Sequence, residues 1–144
     1  MQMKDYDIPD DAITFESVSD VDVFYLMRVA RKGLGYSRFA SLTKSFPFSM
    51  SDWSEFLHLS ERTIQRYAKE AKAFDPVSSE KIIEITLLYK DGVGVFGNRK
   101  KFDSWLSIPA VALGGAAPKE LLDSTMGIQL IRNELMRIEH GILA

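Results

Sequence analysis

The sequence has no cysteine and only two histidines, and these shortages exclude several kinds of chemistry. Without cysteine, the chain cannot carry a disulfide scaffold, a thiolate zinc site or a cysteine nucleophile. The two histidines, His58 and His140, are too few for a histidine-rich metal site, and they are the only histidines that a catalytic triad could use. We therefore expect no metal, no cofactor and no enzymatic activity, and a protein that works by contacting other macromolecules.

Long apolar runs are also missing from the sequence. No stretch of about 18 apolar residues occurs, and the first twenty positions are acidic rather than basic, so we expect neither a membrane span nor a secretory signal. The chain has 144 residues, of which 46% are hydrophobic and 26% charged. These proportions are ordinary for a soluble globular protein of one domain, or of two very small ones sharing a core. The cytoplasm is the expected compartment.

Charge is distributed unevenly along the chain, although the net charge at pH 7 is only -2. Residues 1–27 carry seven carboxylates and a single lysine, Lys4. Residues 28–101 carry fourteen lysines and arginines against eight acidic residues, whereas residues 102–144 carry three against five. A basic middle between acidic ends is typical of a module that faces phosphates, although an unevenly charged solvated surface gives the same counts.

Helix signals recur along the chain and predict an all-α fold with about eight elements. Ser19 is placed as the N-cap of a first helix that stops at Gly33, and Ser51 as the cap of a later one. Asn98 is placed as the cap of another. The segment 81–90 is ambiguous because its apolar residues also alternate as in a strand, but its length and its capped start favour a helix.

The signals divide the chain into three regions. Residues 1–18 are acidic and lack a sustained period, which predicts a mobile or loosely docked arm. Residues 19–97 form a helical region, and residues 98–144 a smaller one. The last helix of the smaller region, over about 124–140, has one apolar stripe, consisting of Ile128, Ile131, Leu135 and Ile138. So few residues bury too little surface for a core of their own, so this region packs on the preceding helices or against another chain.

Within the larger region, residues 50–73 predict a helix-turn-helix. Ser54 is small enough for the close crossing of the two helices, and Leu59 is placed as the buried residue of the turn. The turn position often needs positive φ, where glycine is favoured, and here it holds His58, a residue that tolerates this geometry. Ser60 is placed as the N-cap of the second helix.

One face of that second helix presents the side chains that we expect to contact DNA. Arginine pairs with guanine edges, glutamine with adenine, and threonine with a base edge or the thymine methyl group. The predicted DNA-binding residues are Ser60, Glu61, Arg62, Thr63, Gln65, Arg66 and Lys69. A solvated helix face favours the same residue types, and a helix-turn-helix can also serve only for packing, so both readings stay open.

Gly92, Gly94 and Gly97 spell G-x-G-x-x-G, the pattern of a dinucleotide-binding loop. That loop belongs to the first β-α-β unit of a parallel sheet, yet only 47 residues follow Gly97 and none of them reads as a second strand. A helix C-cap followed by a short turn explains these glycines more simply. An enzyme that binds NAD on this run remains an alternative, and calorimetry with the cofactor would test it.

The C-terminal region resembles the toxin-binding domain of Xre-type antitoxins, the Xre/MbcA/ParS group. The residues that carry this resemblance are Trp105, Leu106, Pro109, Leu113, Gly114, Gly115, Pro118, Leu121, Leu122, Gly127, Leu135, Ile138, Glu139 and Gly141. The helix-turn-helix and linker of the same family are similar to Ser60, Arg62, Thr63, Ile64, Arg66, Phe96 and Gly97. The resemblance covers about residues 33–144, and the chain departs from it at His58 and at Tyr67, where the family more often has a basic residue.

The resemblance implies an antitoxin that is not an enzyme. Its C-terminal domain would bind a RES-domain toxin that consumes NAD and block the active site, while its N-terminal half would dimerise and repress its own operon through operator DNA. The residues that would contact the toxin are Trp105, Pro109, Leu113, Gly114, Gly115, Pro118, Glu139, Gly141, Ile142, Leu143 and Ala144. The small apolar tail could enter a cleft, the two glycines of the turn would let backbones approach, and Trp105 would be an anchor.

Two alternatives remain. Apolar residues of this region at helical spacing are more often core than interface, among them Trp105, Leu121, Leu122, Ile131 and Leu135. The chain could also be a stand-alone transcription regulator whose C-terminal domain only dimerises. A neighbouring gene for a RES-like protein, and co-purification with its product, would distinguish an antitoxin from a stand-alone regulator.

Overall fold

The computed structural model describes residues 13–141, and all regular secondary structure within them is helical. The α-helices are α1 (Val23–Lys32), α2 (Tyr36–Thr43), α3 (Met50–Leu57), α4 (Glu61–Glu70), α5 (Pro76–Phe96), α6 (Arg99–Leu106) and α7 (Thr125–Glu139). Two 3₁₀ turns, Val111–Leu113 and Pro118–Leu121, lie between α6 and α7. An isolated bridge joins Gly35 and Ala73, and residues 13–141 contain no strand. The predicted all-α fold is confirmed.

The chain forms two compact units, residues 1–87 (unit 1) and residues 88–144 (unit 2), with the division inside α5. The predicted boundary between residues 97 and 98 lies further along the chain. Residues 1–12 of the predicted acidic arm lie outside the described residues, as do residues 142–144. In the remainder of that arm, Ile13 and Val18 are buried.

Two helices of unit 1 begin at residues other than those predicted. Asp22, not Ser19, caps α1, and its carboxylate accepts a hydrogen bond of 2.8 Å from the backbone N–H of Phe24. Ser49, not Ser51, caps α3. Its hydroxyl accepts a hydrogen bond from the Asp52 N–H, and the Asp52 carboxylate accepts one from the Ser49 N–H. Serine and aspartate are equally good caps, and closely spaced candidates cannot be ranked from the sequence alone.

The core of unit 1 contains a cluster of aromatic rings. Phe39 of α2 makes edge contacts with Trp53 of α3 and with Phe74, both at 5.0 Å between ring centroids. Phe74 also meets Tyr67 of α4 at 5.4 Å. Because Phe74 is only 2% exposed and touches rings from two helices, it fixes α4 on the rest of unit 1.

A small hydrogen-bond network closes unit 1 where α1, α4 and α5 meet. The hydroxyl of Ser79 on α5 accepts from the backbone N–H of Leu34 at 2.7 Å and donates to the carbonyl of Phe74 at 3.2 Å. The N–H of Phe74 in turn donates to the carbonyl of Leu34 at 2.8 Å. Gly33 ends α1 as predicted, with φ 98°, and a Cβ there would lie 2.7 Å from the Phe74 carbonyl oxygen.

The end of α4 provides a test of backbone strain. Ala71 caps α4 in the left-handed conformation, with φ 53°. The side chains of Ala68 and Ala71 are both exposed, so neither belongs to the core. Ala71→Gly should raise the free energy of unfolding by about 0.5–1 kcal/mol because glycine adopts this conformation without strain. Ala68→Gly, within the right-handed helix, should lower it by a similar amount. Urea unfolding curves measure the free energy of unfolding of both variants. Equal changes in the two variants would contradict backbone strain at Ala71.

The three glycines of the G-x-G-x-x-G run do not form a phosphate loop. Segment 81–90 is a helix rather than a strand, which confirms the favoured prediction. This helix, α5, continues through Gly92 and Gly94 to Phe96. The C-cap explanation holds for Gly97, which has φ 87° and donates to the Val93 carbonyl, but it is wrong for the other two. Gly92 has another role, because a Cβ there would overlap the ring of the buried Phe102.

In unit 2, α6 and α7 both pack against the 3₁₀ turn Pro118–Leu121. Asn98 caps α6 as predicted, and Phe102 and Leu106 of that helix are buried. Ile128, Ile131 and Leu135 of α7 are also buried, whereas Ile138, the last residue of the predicted stripe, is 37% exposed. The apolar stripe therefore forms the core of this unit over most of its length.

A buried tyrosine in unit 2 makes its stability sensitive to alkaline pH. Tyr89 is 1% exposed, and its hydroxyl donates to Oδ1 of Asp103 at 2.6 Å. Burial, and then the hydrogen bond to the Asp103 carboxylate, raise the pKa of the Tyr89 phenol.

The pKa of Tyr89 is higher in the folded chain than in the unfolded chain. The contribution of Tyr89 to the free energy of unfolding is therefore fully present below about pH 10, the ordinary tyrosine value, and is lost as the pH rises above it towards the pKa of the folded chain. Tyr89→Phe should be less stable than the natural chain at pH 8, and this difference should shrink by pH 11. Urea unfolding of both proteins at the two pH values measures this, and a difference that is constant with pH would refute it.

Candidate DNA-binding helix and protein-binding turn

Helices α3 and α4 and the turn between them form the predicted helix-turn-helix. The turn residue His58 adopts the left-handed conformation, with φ 55° and ψ 37°. The hydroxyl of Ser54 donates to the Leu59 carbonyl at 2.5 Å, and the Leu59 N–H donates to the Ser54 carbonyl at 3.2 Å. Ser54 therefore contributes both small size and a hydrogen bond across the turn. Leu59 itself is half-buried rather than fully enclosed.

Ser60 begins α4, and its hydroxyl is engaged within the helix. It accepts from the Thr63 N–H at 3.0 Å and donates to Oγ1 of Thr63 at 2.8 Å. This pair satisfies an N–H at the helix start, which would otherwise lack a partner. Among the predicted DNA-binding residues, Ser60 and the half-buried Thr63 are thus placed to hold the start of α4 in position.

The remaining predicted DNA-binding residues share the exposed side of α4. Ile64 is 0% exposed, and Tyr67 packs on Phe74, so these two residues turn one side of the helix toward the core of unit 1. The exposed residues are Glu61, Arg62, Gln65, Arg66 and Lys69. We refer to these five residues as the α4 face.

The charge of the α4 face favours an anionic partner. At 100° per residue, Arg62 and Arg66 lie close to the middle of the exposed side, opposite Ile64. Lys69 flanks them, while Glu61 lies nearer the edge. The other acidic residue of α4, Glu70, lies 3.4 Å from Lys72, which offsets its charge. The middle of this face is therefore basic, as a helix that enters a DNA groove requires.

In unit 2, the segment between α6 and α7 exposes apolar side chains on a turn that glycine shapes. Gly114 and Gly115 have φ 72° and 85°, and the Gly115 N–H donates to the Ala110 carbonyl at 2.9 Å. Ile108 is 59% exposed and Val111 is 96% exposed. The sequence did not single out these two side chains, because a residue outside regular helix has no periodicity to reveal its exposure.

The predicted toxin-contacting residues of unit 2 divide into buried and exposed groups. Leu113 and Pro118 are buried, and the half-buried Trp105 stacks on Phe102 at 5.9 Å between centroids, so these three residues hold the turn and α6 in place. The exposed ones are Pro109, Gly114, Gly115, Glu139 and Gly141. The predicted tail residues Ile142, Leu143 and Ala144 lie outside the described residues.

Within residues 13–141, no three histidine, aspartate or glutamate side chains come together in a way that could hold a metal ion. No helix in this part of the chain is both long and apolar enough to span a bilayer.

Unit 1 thus has the geometry of a helix-turn-helix DNA-binding module, joined in sequence to a small helical unit. Comparison with known protein families supports both parts. Residues 26–86 match the antitoxin Xre-like helix-turn-helix domain, and residues 92–141 match the antitoxin Xre/MbcA/ParS C-terminal toxin-binding domain. The chain belongs to the Xre-type antitoxins, as its resemblance to that group implied.

Individual relatives agree with this assignment. A protein named Antitoxin Xre from Yersinia enterocolitica is 30% identical over 84 residues, covering 58% of this chain and 57% of its own length, which is less than two thirds. Another Antitoxin Xre, from Photorhabdus laumondii, is 27% identical over 73% of this chain and 80% of its own. A protein from a Sphingobium species named Prs ADP-ribosylating antitoxin is 26% identical over 81% of this chain and 79% of its own.

Proposed function

We propose that this chain neutralises a partner toxin by binding it through unit 2, and that it binds DNA through the α4 face. The observation that carries this proposal is that one chain has a basic, exposed α4 face in the region matched to the helix-turn-helix domain and an exposed apolar turn in the region matched to the toxin-binding domain. The chain acts by occupying surfaces on other macromolecules. Repression of its own operon follows if the DNA that it binds is the operator of that operon.

The partner that we propose is a RES-domain toxin that consumes NAD. The resemblance to the Xre/MbcA/ParS group supports this choice. The name of the Sphingobium relative, which joins ADP-ribosylation to an antitoxin, is compatible with it, since ADP-ribosylation uses NAD. Binding would block the toxin's active site sterically.

The turn of unit 2 is the part of the surface best suited to a protein partner. Val111, at 96% exposure, and Ile108, at 59%, present apolar area that burial against another protein would remove from water. They extend the predicted contact set at Pro109, Gly114 and Gly115. Buried Leu113 and Pro118 support this surface from within unit 2.

Co-expression with the product of the adjacent gene tests the proposed partner. The toxin should travel with this chain during purification, and the complex should preserve NAD that the free toxin consumes. The Arg62→Ala, Arg66→Ala double variant is the control, because both residues lie in unit 1, and it should protect NAD as well as the natural chain does. Continued loss of NAD at excess antitoxin would overturn the proposal.

A truncation separates blocking of the toxin from binding of DNA. Removal of residues 142–144 should impair protection of NAD more than it impairs DNA binding, since the tail is proposed to enter the toxin's cleft whereas the α4 face lies in unit 1. NAD consumption and electrophoretic mobility shift measure the two activities on the same preparation. Equal protection by the truncated and full-length chains would exclude the tail from the blocking contact.

A further inference from the structure

Unit 1 has a small cavity where α1 ends and α2 begins, and it has no residue in common with the α4 face. Its volume is about 120 Å³. Pockets for drug-sized ligands measure about 300–1,000 Å³, so this cavity has room only for a small group. Its walls include the basic side chains of Lys32 and Arg38, whereas no acidic side chain among the described residues lines it. A small cavity with this charge favours an anion.

The arginine of this cavity has hydrogen-bonding capacity that the chain does not use. Nη1 of Arg38 donates to the carbonyl of Ile13 at 3.3 Å. Nε of Arg38 is buried and has no hydrogen-bond partner within residues 13–141. Neither Arg38 nor Lys32 forms an ion pair in this part of the chain. A buried donor without a partner is unfavourable, and a bound ion is one of the reasons for which a native structure retains one.

The start of α2 adds further donors at the same place. Its N-cap is Gly35, so no side chain caps the helix. The N–H of Tyr36 donates to the Lys72 carbonyl at 3.0 Å. The next two N–H groups, of Ser37 and Arg38, have no partner among the described residues, and neither has the Ser37 hydroxyl. Free N–H groups at a helix start carry partial positive charge and bind anions.

The cap residue of α2 is a glycine that the fold does not need. Gly35 has φ -66°, which any residue adopts, in contrast to Gly33 with φ 98°. A Cβ on Gly35 would meet no atom within 4 Å apart from those of its chain neighbours. Neither backbone conformation nor packing therefore explains this glycine. A ligand at the helix start explains it, because glycine lets a ligand approach the backbone closely.

We propose that this cavity binds a phosphate group, held by the side chains of Lys32 and Arg38 and by the free N–H groups at the start of α2. Arginine and lysine are the side chains that bind phosphate in proteins, and the phosphate oxygens can accept from several donors at once. The phosphate is free in solution or belongs to the DNA backbone, since only one such group has to enter. The inference goes beyond the proposed function because phosphate binding here requires neither the toxin nor the α4 face.

Isothermal titration calorimetry of the full chain with inorganic phosphate tests the site. At constant ionic strength, the natural chain should bind phosphate saturably. Lys32→Gln should weaken this binding by about tenfold or more, because a hydrogen bond between two charged groups is lost. Lys32 is exposed, so the fold should be retained. Lys44→Gln is the matched control, since it removes an exposed lysine from the opposite end of α2 and should leave phosphate affinity unaltered.

The variant Gly35→Asp tests the site without removing a basic residue. Aspartate is a good N-cap, and its carboxylate would accept hydrogen bonds from the same N–H groups that are proposed to hold the phosphate. The variant should therefore fold at least as stably as the natural chain in urea and should no longer bind phosphate. The proposal is overturned if Gly35→Asp binds phosphate as the natural chain does, or if the natural chain shows no saturable binding.

Mobility-shift experiments with DNA distinguish the two sources of the phosphate. If a backbone phosphate of DNA occupies the cavity, free phosphate should compete with DNA, and Gly35→Asp should weaken DNA binding and reduce its salt slope by about 1. If the ligand is free phosphate, Gly35→Asp and the natural chain should bind DNA equally. A chain that binds phosphate but neither binds DNA nor protects NAD would leave this inference intact while the proposed function fails.

Discussion

Replacing Gly127 with alanine is expected to destabilise unit 2 by about 3 kcal/mol, at the upper end of what overpacking usually costs. Gly127 lies in the first turn of α7, and its N–H donates to the hydroxyl of the cap residue Ser124 at 3.0 Å. A Cβ on Gly127 would overlap the carbonyl oxygen of Leu121. Because the obstructing atom belongs to the backbone, no rotamer change relieves the overlap, and α7 must move away from the preceding 3₁₀ turn.

This displacement should affect the proposed toxin contact more than the DNA contact. Ile128, the residue after Gly127, is 2% exposed and belongs to the core of unit 2, so a shift of α7 disturbs that core directly. The α4 face lies in unit 1. We therefore expect Gly127→Ala to lower the urea midpoint and to abolish co-purification of the toxin, while DNA binding in a mobility-shift experiment is retained.

Gly94→Ala is the matched control for this experiment. Gly94 is also a glycine within a helix, but apart from its chain neighbours and the nearby backbone of its own helix, no atom lies within 4 Å of the position that its Cβ would take. Alanine has the higher helix propensity, so Gly94→Ala should stabilise the chain by about 0.5–1 kcal/mol. If Gly127→Ala were equally stabilising, the close approach of α7 to Leu121 would not exist as described.

The contrast among these glycines shows how much of the fold can be predicted from the sequence. Signals that depend on one residue and its immediate neighbours predicted the helix starts at Ser60 and Asn98 correctly, but they missed those of α1 and α3 by a few residues. The spacing of Gly92 and Gly94 suggested a loop, because a glycine in a sequence does not indicate whether it serves a turn or a close contact. What distinguishes these two is the ring of Phe102, which is brought to Gly92 by packing between α5 and α6.

In the candidate sites, too, local patterns could be predicted from the sequence, whereas tertiary contacts could not. Helical periodicity is a strong signal, so the exposed residues of α4 could be identified before the structure was known. The turn of unit 2 has no period that would reveal exposure, and the contact set implied by the resemblance includes Leu113 and Pro118, which are buried, and leaves out the exposed Val111. The same holds for the apolar groove between α1 and the first half of α5, because Met27 and Val77, which both line it, are far apart in the sequence and only the tertiary structure brings them together.

The second large effect is expected at the α4 face, where the Arg62→Ala, Arg66→Ala double variant should bind DNA far more weakly. An arginine that reaches a base edge contributes about 1–3 kcal/mol, so the two together should change the dissociation constant by roughly 30-fold to 10⁴-fold. Both side chains are exposed, and alanine is the better helix former, so the fold of unit 1 should be preserved. Unchanged urea unfolding would confirm this.

Arg132→Ala provides a control, since it removes an arginine from α7 in unit 2 and should leave DNA affinity unaltered. The dependence of binding on salt then distinguishes the two kinds of contact that Arg62 and Arg66 can make. If they reach phosphates, each substitution should reduce the salt slope by about 1, and the loss should be similar for all DNA sequences. If they reach guanine edges, the loss should be largest on the operator and small on unrelated DNA.

Equal binding by the double variant and the natural chain would contradict a DNA-binding role for α4. The helix-turn-helix would then serve only to build the core of unit 1, through Ile64 and the contact between Tyr67 and Phe74. Neutralisation of the toxin would be unaffected by this outcome, because the proposed toxin contacts lie in unit 2. Repression and neutralisation can therefore be tested separately on one chain, each with variants that leave the other surface intact.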